Sequence, residues 1–199
     1  MVKIKPFRGI RPVKELVDKI AAPPYDVINF EEARSLAADN PYSFLHVSRA
    51  EIDLPPETDP YDEKVYQKAR ENLEAMLAKG WFFQDATEML YIYRQIMDKH
   101  SQYGLITTAN VNDYLKGKIK IHELTRQDKE MDRTKHLEYT NVNTGPVFLT
   151  YQAKPVIDTI IHQIVTESQP EYDFTAVDGI QHTFWLVNDR ETILKLVNH

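Results

Sequence analysis

Two segments of alternating apolar and polar residues constrain this chain most: Met89–Met97 and Gly104–Val111, separated by Asp98-Lys-His-Ser101. Strand side chains point to opposite faces with period two, so each segment reads as a half-buried strand and the polar connection as a hairpin turn. At least one pairing is therefore antiparallel. Elsewhere helical and strand-like periods alternate. The expected fold is α/β (α+β): a mixed sheet with at least one antiparallel hairpin and flanking helices.

The remaining elements follow from local chemistry. Val2 to Ile10 alternates loosely as an opening strand, and Pro12 suits the first position of a short helix through Ile20. Ala22-Pro-Pro-Tyr-Asp26 is a stiff loop, since neither proline donates a backbone hydrogen bond. Asn29 and Glu32 make a capping box for a helix to about Asp39. Ser43 to Val47 reads as a short strand. Asp59-Pro60 opens the clearest helix, with Val65, Ala69, Leu73, Met76 and Leu77 on one face and Gly80 as its stop. Trp81 to Phe83 reads as buried strand or packing edge. Lys118-Ile-Lys-Ile121 is expected as a strand delivering His122. Thr125 and Asp128 form a second capping-box pattern for a helix to about Tyr139. Val147 to Tyr151 reads as strand and Pro155 to Val165 as an amphipathic helix. Tyr172 to Thr175 and Gln181 to Val187 pair around Asp178-Gly179, and Asp189 caps a helix to Asn198. The chain is expected as one domain over residues 1–199. Because a helix after a strand normally leads to another strand, that domain is expected to be the N-terminal portion of a longer protein.

Composition excludes several classes. Lys plus Arg is 24 against 30 for Asp plus Glu, a net charge of -6. That argues against a general nucleic-acid binder. There is no cysteine, hence no disulfide or thiolate chemistry. No apolar run approaches the roughly 20 residues that span a bilayer, and the N-terminus lacks the apolar run of a signal peptide. A cytoplasmic soluble protein, without nucleic-acid or membrane partners, is the expectation. None of the 6 glycines forms a dinucleotide fingerprint or a phosphate-binding loop. No nucleophile elbow is present.

The chemistry concentrates in His122-Glu-Leu-Thr-Arg-Gln-Asp-Lys-Glu-Met-Asp-Arg133. On a helix from Arg126, the cations Arg126, Lys129 and Arg133 stand at i, i+3 and i+7, with Glu130 and Asp132 interleaved. A helix N-terminus adds free N–H groups and a positive dipole end. His122 or Glu123 could act as general base, and Lys129 with Arg133 as a clamp for phosphate or carboxylate. The plainer alternative is a surface helix laced with ion pairs such as Arg126 with Glu130. A zinc-protease pattern is absent, because no second histidine follows His122 at i+4 and His136 lies far beyond. Asn143, Thr144 and Gly145 form a polar turn that either binds a ligand or merely reverses the chain. Tyr25 and Asp26 on the Pro-Pro loop are a site wall or a packing plug. His46, His182 and Trp185 read as packing residues.

Several segments, in order, resemble one bacterial and archaeal family. They are Phe7-Arg-Gly-Ile-Arg-Pro12, Ala21-Ala-Pro-Pro-Tyr-Asp-Val27, Pro41-Tyr-Ser-Phe-Leu-His46 and Tyr91-Ile-Tyr-Arg-Gln95. His122-Glu-Leu-Thr125, Lys129-Glu-Met-Asp-Arg133 and Asn143-Thr-Gly-Pro146 complete the set. The family is the domain-of-unknown-function family numbered ten-fifteen. Its members are longer and carry an Asp-Gly-His-His-Arg motif in their second half, which resembles that of ParB-like free-serine kinases. The resemblance implies ATP- or ADP-dependent phosphorylation of serine, with Mg²⁺ beside the nucleotide. The motif does not occur in these 199 residues, and Asp178-Gly-Ile-Gln-His182 has the wrong spacing.

Three readings follow. In the first, the chain supplies a phosphate- or carboxylate-binding half-site to a small-molecule kinase of the serine type and is inactive without a C-terminal half. In the second, it is a non-catalytic binding or assembly module that docks a missing half or a second copy, through apolar surface near Leu194, Leu196 and Val197. The third, a ParB-like DNA-associated protein, is disfavoured by the acidic balance.

Overall fold

The computed structural model describes residues 2–122 and 124–199. Its strands are β1 (Ile4–Lys5), β2 (Ile10–Pro12), β3 (Phe82–Gln84), β4 (Leu90–Met97), β5 (His100–Ile106), β6 (Thr108–Ala109), β7 (Tyr172–Thr175) and β8 (Gln181–Val187). Its α-helices are α1 (Val17–Ile20), α2 (Phe30–Ala37), α3 (Leu45–Ser48), α4 (Glu63–Ala78), α5 (Val111–Leu115), α6 (Gln127–Thr140), α7 (Pro155–Glu167) and α8 (Arg190–Asn198). Helices and antiparallel strands mix as an α/β fold. None of the described helices is long and apolar enough to cross a membrane.

Contacts divide the chain into two compact units. The first comprises Met1–Lys14, Gln84–His122 and Thr150–His199; the second comprises Glu15–Phe83 and Glu123–Leu149.

The first unit is built on a four-stranded antiparallel sheet in the order β5-β4-β8-β7. Asp98, at φ 53°, opens the two-residue turn from β4 to β5; a short polar side chain tolerates that left-handed backbone. Period-two alternation puts Leu90 and Ile92 of β4 on one face with Trp185 and Val187 of β8. Helices α7 and α8 cover that face through Ile157, Ile161 and Leu196. Pro155 opens α7, where its missing N–H costs nothing. Asp189 caps α8 by accepting from Thr192 N at 2.8 Å. Leu196 is buried and Val197 packs beside it, so of the C-terminal apolar surface expected for docking only Leu194 is exposed.

The opposite face carries Tyr91, Tyr93, Phe184, His182, Tyr172 and Phe174 as tilted and stacked ring pairs. At its end a buried polar network ties down the N-terminal segment. Arg11 grips Asp85 with two bonds of 2.8 and 2.7 Å and also reaches Glu171 and Tyr172. Burial opposes the charge on Arg11, yet Asp85 and Glu171 hold its pKa above the ordinary value. The Tyr91 hydroxyl donates to Asp85 and accepts from Gly9 N, both at 2.7 Å.

The second unit is organised by α4, which buries Val65, Tyr66, Ala69, Leu73 and Met76. Gly80, at φ 70°, follows its C-terminus in the left-handed region. Around α4 lie small clusters, one joining Ile20, Val47, Leu73, Met76 and Phe82 and another Ala33, Ala37, Leu45 and Ile52. The capping box of Asn29 and Glu32 forms with both bonds present.

Several sequence expectations require correction. The second hairpin strand runs from His100 to Ile106 and not from Gly104 to Val111, so His100 and Ser101 belong to the strand and not to the turn, and Val111 opens α5. The opening strand is split into β1 and β2, and helix begins at Lys14 as a 3-10 turn and not at Pro12. Ser43 to Val47 is helical, because its backbone groups bond locally, Val47 N to Phe44 O and Arg49 N to Leu45 O, and not across a ladder. The long helix begins after Asp62, which caps it, and not at Asp59-Pro60. Lys118 to Ile121 is not a strand: Lys118 N and Ile119 N fold back onto Asp113 O at the end of α5. Val147 to Tyr151 is irregular, with Val147 79% and Phe148 73% exposed.

Candidate functional site

Helix α6 is inside-out. Its buried residues are Asp132, His136 and Thr140, at i, i+4 and i+8, while its apolar Met131 and Leu137 are 54% and 47% exposed. An ordinary surface helix buries an apolar stripe. Burying a polar stripe costs free energy unless every group finds a partner, and here the partners come from α4 and the α3 region of the same unit.

Asp132 accepts from the Tyr66 hydroxyl on α4 at 2.9 Å and from Arg133 Nε at 2.9 Å, and its carboxylate pairs with Arg133 Nη2 at 2.8 Å. Burial and the neighbouring carboxylate push the Tyr66 hydroxyl well above its ordinary pKa, so it stays a donor. Arg133 in turn lies on the ring of Tyr25, its guanidinium carbon 3.9 Å from the centroid. The Tyr25 loop is fixed by Arg49, whose Nη1 donates to the carbonyls of Tyr25 at 2.8 Å and Ile28 at 3.0 Å. Glu51 holds Arg49 at 2.6 Å. Arg133 is thus clamped on one edge and one face. Its Nη1 makes no hydrogen bond among the described residues, and its side chain is 31% exposed.

His136 Nε2 stands 2.9 Å from Val47 O. A carbonyl only accepts, so Nε2 carries the proton and Nδ1 is left with its lone pair. Burial first, and then the Arg133 charge, lower the His136 pKa, so the ring is neutral near pH 7. The Thr144 hydroxyl is the nearest donor to Nδ1, at a long 3.4 Å. Thr140 Oγ1 satisfies His136 O at 2.7 Å.

The structure brings Tyr25, Asp132, Arg133 and Thr144 of the sequence-predicted residues into this cluster. The others are placed differently. Lys129 meets Tyr61, its Nζ 3.3 Å from the hydroxyl and 5.9 Å from the ring centroid. Arg126 is the N-cap residue, makes no side-chain cap, and grips Asp128 at 3.1 and 2.6 Å. The Thr125–Asp128 capping box therefore does not form: the Asp128 carboxylate is already held by Arg126, which also lowers its pKa. For the same reason the expected Arg126–Glu130 pair is replaced. Asp26, Glu130, Asn143 and Gly145 are exposed. His122 is exposed and belongs to the first unit. Glu123, the other candidate base, lies outside the described residues.

Sequence reasoning missed His136, Tyr66 and Arg49. For His136 the signal was present: Asp132, His136 and Thr140 fall at i, i+4 and i+8 on one helical face, which they share with Tyr139. Tyr66 and Arg49 lie 66 and 84 positions before Asp132 and Arg133, and no local pattern joins them.

Comparison with curated proteins finds no match, and comparison with solved structures finds none either. The family model described as Protein of unknown function (DUF1015) matches residues 4–199, and the chain belongs to that family.

Proposed function

We propose that the second unit carries the oxyanion-binding part of a site for phosphorylating a small hydroxyl-bearing substrate of the serine type. The observation that supports it is the buried stripe of α6, which holds the Arg133 guanidinium carbon 3.9 Å from the Tyr25 ring centroid, one helical turn from a neutral His136. Buried titratable groups with specific charge partners cluster at functional sites. In this reading the open Nη1 of Arg133 takes the carboxylate or phosphate of the ligand, and Lys129 adds a second positive charge. His136 Nδ1 accepts the proton of a substrate hydroxyl, which displaces the weakly held Thr144. His136 thereby takes the role of base, for which His122 and Glu123 were the sequence candidates. ATP or ADP with Mg²⁺ supplies the phosphoryl group, in a cytoplasmic setting. Because the Asp-Gly-His-His-Arg motif of the ParB-like serine kinases does not occur in these residues, phosphoryl transfer is assigned to groups outside them.

Thermal shift with ATP, ADP, serine and O-phosphoserine tests this reading. Phosphoserine should raise Tm by the linkage of binding to folding, and Arg133→Ala and Lys129→Ala should abolish and weaken the shift. No stabilisation by any of the four, or a shift unchanged in Arg133→Ala, contradicts it. These residues alone should not phosphorylate serine, whereas a longer family member with the motif should.

One observation favours a second reading, a binding or assembly module. Met131 and Leu137 on the outer side of α6, and Val147 and Phe148 beyond it, are exposed, and such residues are usually covered when contiguous. Light scattering showing a monomer at all concentrations, unchanged by Phe148→Glu, counts against self-assembly.

A further inference from the structure

The sheet of the first unit holds a cation that the proposed site does not use. Arg94 lies on β4, directly across from Tyr103 of β5 and Thr183 of β8. Its guanidinium carbon is 6.0 Å from the Tyr103 ring centroid and 5.5 Å from that of Trp185. The two rings are themselves 6.5 Å apart, and Trp185 is pinned by its Nε1 to Ser168 O. The guanidinium therefore rests against two aromatic faces, which orient it before any ligand arrives.

Its hydrogen bonding is incomplete. Nη2 donates to Thr183 Oγ1 at 2.8 Å, and that hydroxyl donates on to Asp173 at 3.2 Å. Nε is sealed from solvent with no acceptor. Nη1 has no acceptor among the described residues, yet it is not among the sealed atoms. Arg11 of the same unit shows the contrast, with Asp85 and Glu171 both bound to it. A half-buried guanidinium is ordinarily paired with a carboxylate. Arg94 reaches one only through the Thr183 hydroxyl.

We infer that Arg94 is the receptor for a small organic carboxylate, bound end-on by Nη1 and Nη2. The planar fork of the guanidinium matches the two oxygens of a carboxylate. Asp173, one hydroxyl away, disfavours a second negative charge and so selects against phosphate. Tyr103, 41% exposed, and Ile96 share the same face and offer an apolar wall for the organic part. Arg94 also lies in Tyr91-Ile-Tyr-Arg-Gln95, a segment of the family resemblance to which the α6 site gives no role. The inference is independent of that site.

The test is a titration of the whole chain followed by ¹H–¹⁵N NMR of the arginine Nε–H signals, assigned with Arg94→Gln. The Arg94 Nε–H, shielded from solvent, should be visible. Sodium acetate should move it saturably, and sodium chloride at the same ionic strength should not. Inorganic phosphate should bind about tenfold more weakly or less. Arg94→Lys, which keeps charge and stem but loses the fork, should weaken acetate roughly tenfold as read by Trp185 fluorescence in a Trp81→Phe background. An acetate response equal to that of chloride leaves Arg94 a structural cap on the core and overturns the inference. Tighter binding of phosphate overturns the carboxylate assignment. The wild-type titration decides both points if a variant fails to fold.

Discussion

Gly9 and Tyr91 depend on each other at a single point. A Cβ built on Gly9 stands 2.6 Å from the Tyr91 hydroxyl, and that hydroxyl is locked by Asp85 and by Gly9 N. Neither partner can yield without breaking the Arg11–Asp85 network. Gly9→Ala should therefore lose roughly 1–3 kcal/mol in urea unfolding, as overpacking does. Tyr91→Phe in the same chain should return part of that loss, giving a non-zero coupling energy. A Gly9→Ala effect within about 0.5 kcal/mol of zero, the range of neutral surface changes, contradicts the packing described. This pairing was not legible in the sequence, because the partners lie 82 positions apart. The Arg11–Asp85 pair is likewise distant, 74 positions apart, and no local pattern joins it.

Elements were legible where their reason is local. The antiparallel pairing of β4 with β5 (though not the length of its turn or the bounds of β5), the pair β7 and β8, the capping box of α2, the Pro155 start of α7 and the Asp189 cap of α8 all follow from neighbouring residues. They form as their side chains dictate. Misread elements depended on distant partners. Ser43 to Val47 has the apolar content of a strand, yet a strand needs a ladder, and Leu45 and Val47 are buried on a helical turn instead. Helix α6 was recognised, but its charges were read as an outward stripe, when the face it buries is Asp132, His136 and Thr140. Two histidines give the second unit opposed pH responses. Hydrogen bonding to Asp53, at 2.9 Å, raises the His46 pKa above 6.5, with burial and Lys68 opposing. Its stabilisation is complete below that ordinary value and is lost as pH rises through the raised one. Burial lowers the His136 pKa below 6.5. Its folded state then binds fewer protons than the unfolded chain, so stability falls as pH drops below the ordinary value towards the lowered one. Unfolding free energy against pH should thus decline on both sides of the histidine range. His46→Asn should flatten the alkaline decline and leave the acid one. An unchanged alkaline decline contradicts the His46–Asp53 assignment.

The whole molecule divides into two units whose segments interleave, so the chain passes between them several times. One passage follows α5, through Lys116, Lys118, Lys120 and Arg126, a run without helix or strand among its described residues. Exposed irregular chain is where proteases cut first. Limited trypsin digestion should cleave there before cutting within α4 or α8, and first cuts inside either helix contradict this division. The second unit holds the α6 cluster, the first holds Arg94, and the family assignment covers both. Under the proposed function, the buried Asp132 and His136 of α6 hold a neutral imidazole ready to accept a proton beside an Arg133 that takes the anion. The most direct measurement is ¹⁵N NMR of the histidine rings during titration with O-phosphoserine. Free His136 should show a protonated Nε2 and a bare Nδ1 at neutral pH, and Nδ1 should shift saturably on binding, an effect lost in Arg133→Ala. A His136 that is doubly protonated at neutral pH, or one indifferent to phosphoserine at saturation, contradicts it.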